Sequence, residues 1–239
     1  MSETPVIDPV RRDTLGAIVT DRLRELVIHG RFEPGTQLSE VDLAARFGVS
    51  RGPIREALQH LLQEGLLRRD PRRGISVPVV SDEDVADLYF ARETIEAAAL
   101  RVVMQGDVAA LAAGLREMVR GMEAGAAAQD WARVADLDMS FHASVVAAAG
   151  SPRLSRIYAG IIDETRACFA MTARYPGRED LVAEHEELAD LLERRDVPAA
   201  LAALDAHFAT SIRTLARHRR VAGTEGDGHE IELDRELPR

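Results

Sequence analysis

GRFEPGTQLSEVDLAARFGVSRGPIREALQHLLQEGLLRRDPRRGISV, residues 30–77, decides the fold of the first part of this chain. Pro34-Gly35 marks a tight turn. Ser39 followed by Asp42 reads as a capping box, opening a helix over roughly 39–46 with Leu43, Ala44 and Phe47 inward and Gly48 as its stop. Ser50 is placed to cap the next helix, and Pro53 is tolerated because it falls in the first turn. That helix runs to about Glu64 with two faces. Ile54, Ala57, Leu58, Leu61 and Leu62 form the apolar one; Gly52, Arg55, Gln59 and Gln63 form the polar one, with Arg51 at its leading edge. After Gly65, two short extended runs flank Asp-Pro-Arg-Arg-Gly, a hairpin signature. Working outward, residues 11–29 carry Leu15, Ile18, Val19, Leu23, Leu26 and Val27 at helical spacing and end at Gly30. Helices joined by a tight turn and followed by a hairpin predict a winged helix-turn-helix over residues 11–78.

The charge is distributed unevenly. The 239 residues have a net charge of −10, yet residues 1–78 hold 12 arginines against 11 acids, and residues 46–73 hold 7 against 3. Phosphate contact requires a local basic patch, and the average over the chain does not exclude one. Arginine offers a planar fork that fits guanine O6/N7 or a phosphate. Arg51 and Arg55 lie one turn apart near a helix N-terminus, where recognition helices contact base edges. Gly52 leaves room for close approach, and Ser50 with the helix N-terminus can bind a phosphate. The plainer reading is a solvated helix face with a partner such as Glu56. The capped helix, the turn and the basic hairpin around it favour DNA.

From Ser81 onward the periodicity is helical throughout. Six helices are expected, at about 81–104, 107–125, 130–149, 152–173, 179–195 and 198–219, with short connections that favour antiparallel packing. The fold class is therefore mainly α, a winged head followed by an all-α antiparallel bundle over 81–220. Residues 221–239, rich in Gly and acids, read as a disordered tail. Asp138 and His142, at i and i+4, share a helix face, and His185 and His207 lie on two further helices. Three imidazoles and a carboxylate can hold a divalent metal, zinc or nickel before manganese or iron(II). Each can equally be an ordinary hydrogen-bonded or surface side chain. Arg92, four residues before Glu96, is either half of a solvated ion pair or a clamp for a ligand carboxylate. Arg166 is a weaker cavity candidate and reads equally as a surface charge.

The residues of the head carry a resemblance. PG-x-x-L (34–38), LA-x-x-x-GVSR-x-P-x-REAL (43–58), L-x-x-EGLL (61–67) and RRG-x-x-V (72–77) resemble, in order and spacing, the DNA-binding domain of GntR-family transcriptional regulators. That resemblance implies that Ser50, Arg51 and Arg55 contact operator DNA, with Arg72, Arg73 and Gly74 in the wing. Some relatives have a basic residue where this chain has Val41. Residues 81–220 are similar to the all-helical FCD effector domain in its six-helix form, through LYFARETIEAAALR (88–101), DLDMSFH (136–142), EHEEL (184–188) and ALDAHF (203–208). In metal-containing members an Asp and three His occupy the places of Asp138, His142, His185 and His207, and an Arg at the place of Arg92 binds ligand carboxylate. Where the family often has Asn after the third bundle helix, this chain has Gly150-Ser151.

The expected protein is a ligand-responsive repressor, a homodimer on a pseudo-palindromic double-stranded operator, sensing a small organic acid in a metal-containing bundle. The alternative is a metal-dependent enzyme domain fused to a DNA-binding head; against it, no general base or nucleophile stands out beyond the ligand set. The single cysteine, Cys168, excludes an internal disulfide and fits a reducing cytoplasm. No apolar run approaches the ~20 residues of a membrane span, and the N-terminus lacks the apolar core of a secretory signal.

Overall fold

The computed structural model describes residues 15–171 and 179–225. The chain divides into two compact units, Met1–Val79 and Val80–Arg239.

The first unit contains α1 (Leu15–Ile28), α2 (Glu40–Phe47), α3 (Arg51–Gln63), β1 (Arg68–Asp70) and β2 (Gly74–Ser76). The expected start of α1 before residue 15 lies outside the described residues. Val19, Leu23 and Val27 of α1 bury against Ile54, Ala57, Leu58 and Leu61 of α3, while Leu15 and Ile18 face out. Two details fix this pair. Arg24 donates Nε and Nη2 to the two oxygens of Glu64, at 3.1 and 2.7 Å. Gly16 lies under the Glu56 carboxylate, where an added Cβ would come within 2.4 Å of an oxygen. The residue read as a possible arginine partner therefore packs on α1 instead.

Ser39 caps α2 by accepting from Asp42 N at 3.3 Å, and Gly48 ends it in the left-handed region at φ 66°. Ser50 occupies the N-cap of α3 in extended backbone, but its hydroxyl makes no capping bond, contrary to the reading from sequence. The hairpin pairs Arg68 with Ser76, Arg69 with Ile75 and Asp70 with Gly74. Asp70 closes its turn by accepting from the amides of Arg72 and Arg73 at 2.7 and 3.0 Å. A third extended segment, not legible in the sequence, roots the wing. Leu38 N donates to Ile75 O, Val77 N to Thr36 O, and Gln37 bridges Ser76.

The second unit is a bundle of α4 (Asp82–Val103), α5 (Ala109–Ala127), α6 (Trp131–Ala148), α7 (Pro152–Met171), α8 (Glu179–Arg194) and α9 (Val197–Glu225). Ser81 and Asp84 form a complete capping box on α4, with bonds of 2.7 and 3.0 Å. Helix α4 packs on α6, α7 and α9; α5 packs on α6 and α8; α8 packs on α9. Tyr89, Leu115, Met122, Val134, Phe141, Leu192 and Phe208 belong to its main core. Gln129 and Arg195 make the α5–α6 and α8–α9 turns with positive φ, so these reversals carry no glycine signal. Helix α9 continues to Glu225, past the end at 219 read from the sequence, and residues 226–239 of the expected tail lie outside the described residues. Among the described residues no helix is long and apolar enough to cross a membrane.

Candidate nucleic-acid interface and candidate metal centre

The outer face of α3 presents Ser50, Arg51, Gly52 and Arg55, all exposed. A Cβ on Gly52 would meet nothing within 4 Å, so the backbone there is open to close approach. Next to it runs an open groove of about 460 Å³ lined by Gly52, Arg55, Glu56, Gln59, His60 and Gln63. The two arginines converge on Glu40, at the start of α2. Arg55 donates Nε to Oε1 at 3.1 Å and Nη2 to Oε2 at 2.9 Å, and Arg51 donates Nη2 to Oε2 at 3.1 Å. The Arg55 contact, joined by that of Arg51, pushes the Glu40 pKa down to about 2. On the wing, Arg72, Arg73 and Gly74 are exposed at the hairpin turn, with Gly74 at φ 87°, a conformation that favours glycine.

The bundle brings Asp138 and His142 of α6, His185 of α8 and His207 of α9 together, all buried, with their candidate ligand atoms within 4.8 Å of one another. His142 Nε2 lies 3.2 Å from both Asp138 Oδ1 and His207 Nε2, and His185 Nε2 lies 2.9 Å from Asp138 Oδ1. The opposite nitrogen of each ring is engaged. His142 Nδ1 meets Glu96 Oε2 at 2.6 Å, His185 Nδ1 meets the Leu181 carbonyl at 2.8 Å, and His207 Nδ1 meets Glu184 Oε2 at 2.7 Å. These acceptors place the proton on Nδ1 in each neutral ring and turn the Nε2 lone pair inward. Two inward lone pairs 3.2 Å apart repel each other, and a cation or a proton between them relieves this. Outer acceptors that orient ligating imidazoles are the usual surroundings of a metal site. The donor set, three nitrogens and a carboxylate, therefore fits a divalent first-row ion. Burial opposes ionisation of Asp138, yet the His142 and His185 rings hold its carboxyl well below the usual range. Burial likewise opposes the charged form of His142, and Glu96 and Asp138 overcome it and raise its pKa.

Arg92 is 1% exposed, so its pairing with Glu96 is not the solvated ion pair of the plainer reading. Its Nε lies 3.4 Å from Glu96 Oε1, and its guanidinium carbon sits 5.1 and 4.8 Å from the Tyr89 and Phe208 ring centres. Among the described residues the buried Arg92 Nη2 has no hydrogen-bond partner. A buried donor left unpaired is costly, so this atom is suited to meeting an acceptor. Tyr158 of α7 donates its hydroxyl to Glu96. Burial pushes against ionisation of Glu96, and His142 and Arg92 lower its pKa in spite of it. Glu96 thus links Arg92 to a candidate metal ligand. Arg166 stands apart from this chain of contacts, half-buried and facing Asp136 at 3.8 Å and Asp163 at 3.5 Å. Reading the sequence missed Glu40, Glu96 and Glu184 as site residues. Glu184 had a signal, being adjacent to His185; Glu96 was legible only as the partner of Arg92.

Comparison with known proteins adds a second line. Residues 15–77 match the family described as bacterial regulatory proteins, gntR family, and residues 87–210 match the FCD domain. An HTH-type transcriptional regulator of Streptomyces ambofaciens is 32% identical over 201 residues, covering 83% of this chain and 84% of its own. The gluconate operon transcriptional repressor of Bacillus licheniformis is 28% identical, covering 82% and 83%. The crystal structure of a transcriptional regulator assigned to GntR from Rhodococcus sp. RHA1 superposes with a TM-score of 0.72 at 27% identity, covering 84% of this chain and 97% of that one.

Proposed function

The chain belongs to the GntR family of bacterial transcriptional regulators, with an FCD domain after its DNA-binding domain, and from that premise we propose that it is a repressor released by a small organic acid bound in a metal-containing bundle. Its family and relatives are regulators and not enzymes, which removes the alternative of a metalloenzyme with a DNA-binding appendage. The observation that carries the sensing half is the set of imidazoles whose outer nitrogens are all engaged and whose inner nitrogens converge beside Asp138.

Asp138, His142, His185 and His207 would hold the ion, zinc or nickel before manganese or iron. A bound divalent cation supplies a Lewis-acidic anchor for a carboxylate or hydroxyl oxygen. Arg92 offers its unpartnered Nη2 to a second ligand oxygen. Arg166, half-buried and 3.5 and 3.8 Å from Asp163 and Asp136, is kept as a weaker effector contact. In the head, Ser50, Arg51, Gly52 and Arg55 address the operator's major groove, and Arg72, Arg73 and Gly74 its flank. One head offers too little contact to be selective, so two copies of the chain act as a homodimer on a two-fold site, in the cytoplasm.

The experiment is a thermal-shift screen of metal-loaded full-length protein against sugar acids, hydroxy acids, amino acids and dicarboxylates. The relative named for a gluconate operon puts sugar acids first. A compound that raises the melting temperature of the wild type but not of Arg92→Ala, and that releases a DNA duplex selected by the protein, supports the reading. No shift with any acid contradicts the sensing role, and a sedimentation mass of one chain at micromolar concentration contradicts the dimer.

A further inference from the structure

Glu40 is an acid in the middle of a surface meant for phosphates. It is the first residue of α2, and its carboxylate engages both arginines on the outer face of α3. The arrangement is asymmetric. Arg55 gives Glu40 its side-on edge, Nε with Nη2, while Arg51 gives only Nη2. The end-on edge of Arg55, Nη1 with the second proton of Nη2, lies outside this clasp. That edge is enough for the bidentate pairing of arginine with guanine O6 and N7.

The clasp is not explained by stability. The side chains of Arg51 and Arg55 are each 59% exposed and that of Glu40 27%, and ion pairs so exposed contribute little to folding. It is not explained by affinity either, because a carboxylate at this place opposes the phosphate backbone. What it does supply is order. Two long cationic side chains with several rotatable bonds are held in one geometry before any DNA arrives, and neither is left to follow the nearest phosphate. The two guanidinium groups push the Glu40 pKa from 4.5 down to about 2, so the carboxylate is ionised at neutral pH.

We propose that Glu40 is a specificity-determining positioning residue: it holds Arg51 and Arg55 together, aims the end-on edge of Arg55 at a guanine, and withholds both arginines from non-cognate phosphates. The inference rests on the reading of α3 as the helix that reads DNA. Its signature is a pair of opposite effects. Loss of the carboxylate weakens binding to the preferred sequence, because Arg55 must then be ordered during binding. The same loss leaves binding to arbitrary DNA equal or tighter, because two arginines are released and one repulsive charge is gone.

The test uses the full-length protein with two probes: the duplex that the wild type enriches from a randomised pool, and a mixed-sequence duplex of the same length. Affinities are measured over a series of salt concentrations for wild type, Glu40→Gln, Glu40→Asp and Arg55→Ala. Glu40→Gln should lower the ratio of preferred to mixed affinity by roughly tenfold, the scale of one well-oriented base contact. Its binding to the mixed duplex should be at least as tight as wild type, with a salt slope steeper by about one. Glu40→Asp keeps the charge at the helix N-terminus but shortens the reach, and should lower the ratio without strengthening mixed binding. An unchanged ratio in both Glu40 variants, with the preference lost in Arg55→Ala, overturns the inference and leaves the reading of α3 standing. Equal weakening on both probes in both Glu40 variants assigns the residue to folding and also overturns it. Wild-type preference in Arg55→Ala removes the α3 reading itself, and the inference with it.

Discussion

Arginine and carboxylate are brought together at the surface by Arg51, Arg55 and Glu40, and in the bundle by Arg92 and Glu96, joined there by the imidazole of His142. On α3, Arg51 and Arg55 share Glu40 where water and salt screen every charge. In the bundle, Arg92, Glu96, His142 and Asp138 are each 3% exposed or less. In the exposed cluster each ion pair contributes little to folding, so its value lies in where it holds the two guanidinium groups. The buried one is costly to break, because removing a partner leaves a charge or a donor uncompensated away from water. On the proposed function, similar side chains would serve as a reading surface in one unit and as a receptor in the other, and the difference between them lies in desolvation.

Breaking the buried cluster should give the largest effect. If the proposed metal is bound, stripping it with a chelator, or replacing His185 by Ala, would remove about 3–4 kcal/mol of stabilisation, the value for a ligand at 100–1,000 times its Kd. The melting temperature should fall by at least about 5 °C, read by calorimetry, and metal should restore the wild type only. A chelator that leaves the melting curve unchanged would sink this expectation. On the exposed cluster, Arg55→Ala should cost about 1–3 kcal/mol on the preferred duplex. Arg72→Ala should instead weaken all duplexes alike and flatten the salt slope by about one unit. Gel-shift titrations over a salt series check both, and a sequence-selective loss in Arg72→Ala would contradict the division between helix and wing.

A smaller effect tests the outer shell. Glu96→Gln should lower metal affinity by about 10–100-fold without altering DNA selectivity, because the ligand remains and only its orientation is loosened. Competition with a chromogenic chelator measures it; unaltered affinity would make Glu96 a partner of Arg92 alone. Acid should separate the clusters with the smallest change on the DNA side. The Glu40 carboxyl is depressed from its ordinary value of 4.5 to about 2, so the clasp is fully formed above pH ~4.5 and is lost only as pH falls toward 2. Between pH 8 and 5 it should therefore not titrate. Protons compete with a metal ion for imidazole nitrogen, so the metal affinity of the proposed site should fall as the pH is lowered over the same range. Metal content after dialysis at pH 5 and pH 8, with DNA selectivity measured alongside, decides this.

Much of this was legible along the chain because it is local. Pro34-Gly35, the Ser39 cap, Gly48 and the Asp70–Gly74 turn each act within a few residues, and the α3 faces follow from helical period. Asp138 and His142 were legible as a pair for the same reason. What joins helices was not. Glu40 lies 15 residues from Arg55 and Glu96 lies 46 from His142, and no periodicity connects them. The strand-like segment at 36–38 has no β pattern of its own and is held by the wing. Ser50 had the residue type of a cap and the position of one, yet its hydroxyl stays open, which suits contact with a phosphate.

Asp138 and His142 of α6, His185 of α8 and His207 of α9 are proposed to form one metal centre. Elemental analysis of full-length protein, purified without chelator, equilibrated with zinc or nickel and dialysed at pH 8, tests it most directly, with His185→Ala treated identically. The wild type should hold stoichiometric metal and the variant should lose most of it, with both proteins still helical and still binding DNA. Metal absent from the wild type, or retained in full by the variant, would contradict the proposal and return these histidines to ordinary buried hydrogen bonding.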